Sequence, residues 1–74
     1  MRHEITSSTS GIVWKVEVVQ EQSVDKDQEL IILEVMKMEI PITSPAQGVV
    51  TEILISEGAS VLEGDILVIV ESSL

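Results

Sequence analysis

An all-β fold built from two copies of one unit is what this sequence predicts, and three observations carry it. Valine, isoleucine and threonine number 11, 10 and 4 in a chain of 74 residues. These β-branched side chains lose χ1 freedom in a helix and fit a pleated surface. The apolar runs are short and carry no helical period, and turn clusters separate them. Finally, the chain matches itself at an offset of half its length.

The elements follow in chain order. Ile12, Trp14, Val16 and Val18 alternate with Val13, Lys15, Glu17 and Val19. Alternation predicts a strand with the first set on a core face and the second leaning outward, although Val13 and Val19 blur the pattern. By this parity Trp14 is a core anchor. Leu30 to Val35 and Leu67 to Val70 are continuous, as in strands covered on both sides. Ser7 to Gly11, Glu21 to Glu29, Ser44 to Gly48 and Glu57 to Asp65 read as turns. Seven or eight short strands of this kind suggest a compact sandwich or barrel.

The repeat is the most informative signal. Residues 5–34 align with 42–71 without a gap, and 10 of the 30 positions are identical. Among them are Ser7/Ser44, Gly11/Gly48, Ser23/Ser60 and Glu34/Glu71, which an aliphatic bias would not produce in one register. One domain, 1–74, with halves of about 1–37 and 38–74, is therefore expected. Each half is too small to bury its own apolar face, so the two should pack about an approximate two-fold axis. The junction near Val35 to Glu39 becomes a presented tip, on the opposite edge from the chain ends.

Composition excludes several classes of function. Thirteen acidic residues against four basic ones give a net charge of −9, which repels phosphate backbones and anionic lipid. One aromatic residue leaves no base-stacking platform, so no nucleic-acid partner is expected. The N-terminal MRHEITSS has no signal-peptide core, and no segment is apolar enough to span a membrane. The absence of cysteine fits a reducing compartment, and a cytoplasmic monomer is the expectation.

The tip reads Glu34-Val35-Met36-Lys37-Met38-Glu39. Turns usually use Gly, Asn, Asp or Pro, and methionines usually fill cores. A lysine between two methionines is unusual for a hairpin that only reverses the chain. On spacing alone, a solvated turn lysine with methionines folded onto the strands explains it equally well.

Those residues carry a resemblance. Glu-Val-Met-Lys-Met resembles the Glu-Ala-Met-Lys-Met signature of biotinyl domains in biotin-dependent carboxylases. Gly11, Ile42 to Pro45, Gly48, Gly58, Val61, Gly64 and Leu67 are spaced as in that family, so the resemblance spans nearly the whole chain. It is nearest to the small biotin/lipoyl attachment proteins of biotin carboxyl carrier type. The resemblance implies a flattened β-barrel or sandwich of two four-stranded antiparallel sheets with internal pseudo-two-fold symmetry, a barrel-sandwich hybrid. The gapless repeat leaves no room for the thumb loop some carriers insert.

It further implies a carrier rather than an enzyme, with no catalytic or metal-binding residues. Lys37 would be the covalent attachment point for biotin, with lipoate possible, since flanking methionines favour biotin in this family. Met36, Met38, Glu34, Val35 and Glu39 would form the recognition surface. The implied partners are a biotin protein ligase and the biotin carboxylase and carboxyltransferase subunits on separate chains. Four residues depart from the pattern, one of them Ser44, which stands where many relatives have alanine before the proline. Val35 stands where alanine is usual, and Glu21 and Asp27 replace the turn glycines found at Gly58 and Gly64. An unmodified interaction module of the same fold is the alternative from a different class.

Other candidates read as structural. Asp25, Asp27 and Glu29 alternate like a calcium loop, but Leu30 and Met36 stand where glycine and glutamate are required. His3 has no second His or Cys with which to share a metal. The run Thr6, Ser7, Ser8, Thr9 and Ser10 has no base to activate a nucleophile and reads as a polar loop.

Overall fold

The computed structural model describes residues 1–72 and contains eight strands. They are β1 (Arg2–Thr6), β2 (Gly11–Val16), β3 (Ser23–Val24), β4 (Glu29–Val35), β5 (Met38–Thr43), β6 (Gly48–Ile53), β7 (Ser60–Val61) and β8 (Ile66–Glu71). Two antiparallel four-stranded sheets form, in the orders β1-β8-β6-β3 and β5-β4-β2-β7. Replacing each strand by its repeat mate, four places along the chain, converts one order into the other. The two-fold expected from the sequence is therefore present in the strand pairing. The sheets face each other as a sandwich and are not closed into a barrel.

Each sheet takes two strands from each half. Neither half can complete a sheet without the other, which is why two unstable units fold as one. Connections in the two halves are equally long, and no loop is inserted in either. Between the sheets, Leu30, Ile31 and Leu33 of β4 meet Leu67, Val68 and Val70 of β8 in one core cluster, with Val13 and Val50 beside them. Full burial of side chains this size contributes roughly 1.5–3 kcal/mol each.

The repeat preserves irregularities as well as strands. Trp14 is an extra residue in the β2–β4 ladder, between the pairs Val13↔Leu33 and Lys15↔Ile32. Thr51, its mate, is extra in the β6–β8 ladder. Such a bulge lets one strand keep pairing while its side chains change face. This overturns the simple alternation expected for the strand: Val13 is buried, whereas Ile12 and Trp14 are 46% and 44% exposed. Past the bulge the expected face resumes, with Val16 packed against the core and Val18 buried. Trp14 is thus not a core anchor; the Lys15 ammonium lies 5.2 Å from its ring centroid.

Other expectations change in detail. The clusters at Glu21 to Glu29 and Glu57 to Asp65 each hold a two-residue strand, β3 or β7, whose valine is buried. Ser7 belongs to a turn but is buried, as is its mate Ser44. Their hydroxyls donate to the carbonyls of Thr9 (2.5 Å) and Ala46 (2.7 Å). Coverage on both sides holds for Ile69, which is buried, but Ile32 remains partly exposed. His3 Nε2 lies 3.2 Å from the Ser72 hydroxyl.

Candidate functional site

β4 and β5 form a hairpin closed by the pair Val35↔Met38, leaving Met36 and Lys37 as a two-residue loop. Their φ values are 52° and 66°. Positive φ at both central residues is what a type I′ turn requires, and its twist matches the flanking strands. Asn-Gly is the usual sequence there, because a Cβ in this region costs about 1–2 kcal/mol per residue. The hairpin therefore holds two long side chains where the backbone favours small ones.

Three features hold the tip against that cost. β4 is an interior strand, paired with β5 on one side and β2 on the other. Val35 packs partly buried against the core. Gly11 lets β2 close tightly over the same place: a Cβ there would lie 2.7 Å from Val35 Cγ2 and 2.8 Å from the Glu34 carbonyl oxygen. A tightly seated hairpin base thus carries an unencumbered apex.

At the apex, Met36 is 91% exposed and Met38 63% exposed. The methionines do not fold back onto the strands. Lys37 is exposed and makes no hydrogen bond or ion pair among the described residues. Glu34 and Glu39 are directly opposed across the β4–β5 ladder, and both are exposed. The structure therefore brings together Glu34, Met36, Lys37, Met38 and Glu39 at one end of a sheet. Val35 turns inward and acts as the anchor of the tip.

This arrangement can present an amine but cannot activate it. A lysine ammonium has three donors and no lone pair. Among the described residues no base reaches it, so the site holds no proton acceptor of its own. Its long unbranched stem suits it to carrying a group away from the body of the domain. Sequence reasoning missed the exposed Ile12–Trp14 face beside the hairpin, since only the bulge reveals its direction.

Comparison with known proteins places the fold. A family model described as biotin-requiring enzyme matches residues 1–70. The chain is 42% identical over 69 residues to the biotin/lipoyl attachment protein of Bacillus subtilis (strain 168), covering 93% of this chain and 94% of that one. It is 29% identical over 70 residues to the biotinylated protein TB7.3 homolog of Mycobacterium leprae (strain TN), covering 95% and 99%. In the crystal structure of Kluyveromyces lactis urea carboxylase, 6% of that chain matches 96% of this one at a TM-score of 0.91 and 27% identity. This chain belongs to the biotin/lipoyl attachment family.

Proposed function

We propose that this protein is a biotin carboxyl carrier whose Lys37 is biotinylated by a biotin protein ligase. The observation that carries the reading is the unpartnered, exposed Lys37 at the apex of a strained two-residue hairpin. In the ligase site Nζ loses a proton, and its lone pair attacks the acyl carbon of activated biotin. The C–N amide bond forms as the activating group departs with its bonding electrons. Bound biotin supplies the carboxyl-carrying chemistry, and this chain supplies presentation.

The carrier then serves biotin carboxylase and carboxyltransferase sites on other chains, in the cytoplasm. Tethering holds the carboxylated group at high effective concentration near both sites. Similarity to a segment of a urea carboxylase supports the carboxylase setting. A second reading, lipoate on the same Lys37, is favoured by the name of the Bacillus relative, which covers both cofactors.

Intact-mass measurement separates them. Purified protein is incubated with biotin, ATP and a biotin protein ligase, or with lipoate, ATP and a lipoate ligase. One biotinyl group per chain, mapped to Lys37, is expected. Labelling by lipoate alone would replace the first reading with the second.

A further inference from the structure

The internal repeat supplies a built-in comparison for every surface position. On the outer face of the hairpin-bearing sheet, Ile12, Glu34 and Glu39 form one row and Lys15, Ile32 and Pro41 another, with Trp14 bulged between them. The mates in the other sheet are Val49, Glu71 and Arg2, then Glu52, Ile69 and Glu4, with Thr51 at the bulge. The second sheet thus makes the same pleat and bulge with threonine and an acidic residue where the first has tryptophan and proline. The fold does not require the exposed Trp14.

Charge differs in the same way. Arg2 faces Glu71 across one ladder, and Glu71 lies 3.6 Å from the N-terminal ammonium. Their mates Glu39 and Glu34 are like charges directly opposed, with no ion pair for either among the described residues. Opposed like charges destabilise a sheet, and a cationic partner would relieve them. Among the described residues, the sheet that carries Lys37 sets the exposed Ile12 and Trp14 beside two directly opposed carboxylates, with Lys15 as the neighbouring cation. On the other sheet the exposed Glu52 also has no ion pair, but the opposed position across from Glu71 is the basic Arg2.

We propose that this face, centred on Trp14 and Ile12 and running to Glu34 and Glu39, docks the biotin protein ligase through an apolar seat bordered by basic side chains. The proposal rests on the carrier reading and names the surface that serves it. A ligase must bring its own catalytic groups to Lys37 Nζ, so it has to lie close over the hairpin. A standard interface covers roughly 800 Å² on each partner, a disc about 16 Å in radius. The Lys15–Ile32–Pro41 row is about 14 Å from Lys37 along the strands. Trp14 therefore falls inside the footprint, and aromatic side chains dominate such interfaces. A carboxylase acting at the end of the cofactor arm need not approach the sheet so closely.

The test exchanges a residue for its repeat mate. Trp14→Thr, with Glu52→Gln on the other sheet as control, is assayed for biotinylation by the biotin protein ligase of the source cell. Trp14→Thr is expected to lose roughly tenfold or more in kcat/KM, carried by KM, while the control matches the parent. Labelling of the parent is expected to fall with rising salt, less steeply in Glu39→Gln. An independent readout uses the unaltered sequence labelled with 5-fluorotryptophan, whose single ¹⁹F line should shift or broaden when ligase is added.

Equal labelling of Trp14→Thr and parent, with an unmoved ¹⁹F line, would overturn the docking surface and leave the carrier reading intact. An equal loss in Glu52→Gln would overturn it too, as would an unchanged salt slope in Glu39→Gln for the basic border. Normal labelling of Trp14→Thr followed by failed carboxylation would assign the face to a carboxylase instead. No labelling of the parent would remove the carrier reading and this proposal together.

Discussion

Asp27 and Gly64, one repeat apart, hold the same left-handed backbone conformation, with φ values of 70° and 91°. Glu21 and Gly58 form the second such pair, at 72° and 91°. The hydrogen bonds repeat as well. The Asp27 amide donates to the Ser44 carbonyl and the Gly64 amide to the Ser7 carbonyl, both at 2.8 Å. One half thus performs with glycine what the other performs with side chains that fit less well.

This pair gives the first prediction. A Cβ at Gly64 would touch nothing within 4 Å, so Gly64→Ala is strained by the backbone alone. It should cost on the order of 1 kcal/mol or more. Asp27→Gly should be nearly neutral or mildly stabilising, since relief of strain offsets greater freedom of the unfolded chain. Urea titration of both variants checks the signs.

Gly11 and Gly48 make a different demand, for space. A Cβ on Gly11 meets the Glu34 carbonyl oxygen at 2.8 Å, and one on Gly48 meets that of Glu71. Gly11→Ala and Gly48→Ala should each lose about 1–3 kcal/mol, because strands must separate to admit the methyl group. For a domain this size, thermal midpoints should fall by roughly 4–8 °C per kcal/mol.

The hairpin gives a third prediction. Met36 has a φ of 52° and is exposed, so its conformation is not repaid by packing. Asn tolerates this region and is favoured in type I′ turns. Met36→Asn should raise stability by about 0.5–1 kcal/mol, measured by chemical denaturation. A loss of stability would show that the methionine packs in solution.

The fourth concerns Lys37. Lys37→Arg keeps the charge, and surface changes of this kind move stability by about ±0.5 kcal/mol. Guanidinium stays protonated and cannot accept the acyl group. The variant should melt like the parent yet gain no mass with biotin, ATP and ligase. Equal labelling of parent and variant would place the attachment site elsewhere.

The sequence by itself determined what depends on residue type and spacing. The offset of 37 carried the two-fold. Gly58 and Gly64 marked turns, and the repeat set Glu21 and Asp27 at the matching positions, although the positive φ at all four came from the structure. Met36-Lys37-Met38 stood out because its chemistry is wrong for an ordinary turn. Each of these is local, or repeats at a fixed interval, and so can be read along one dimension.

Only the tertiary structure decided which way side chains point. The bulge at Trp14 is defined by the partner strand, where Val13 pairs with Leu33 and Lys15 with Ile32. A single unpaired residue turned Val13 inward and left Ile12 and Trp14 outside, which alternation along β2 cannot reveal. Burial of Ser7 and Ser44 likewise depends on carbonyls the folded turns bring close. Opposition of Glu34 to Glu39 needs the hairpin register. These properties arise from pairing between segments, so the face beside Lys37 became legible only when both sheets were in place.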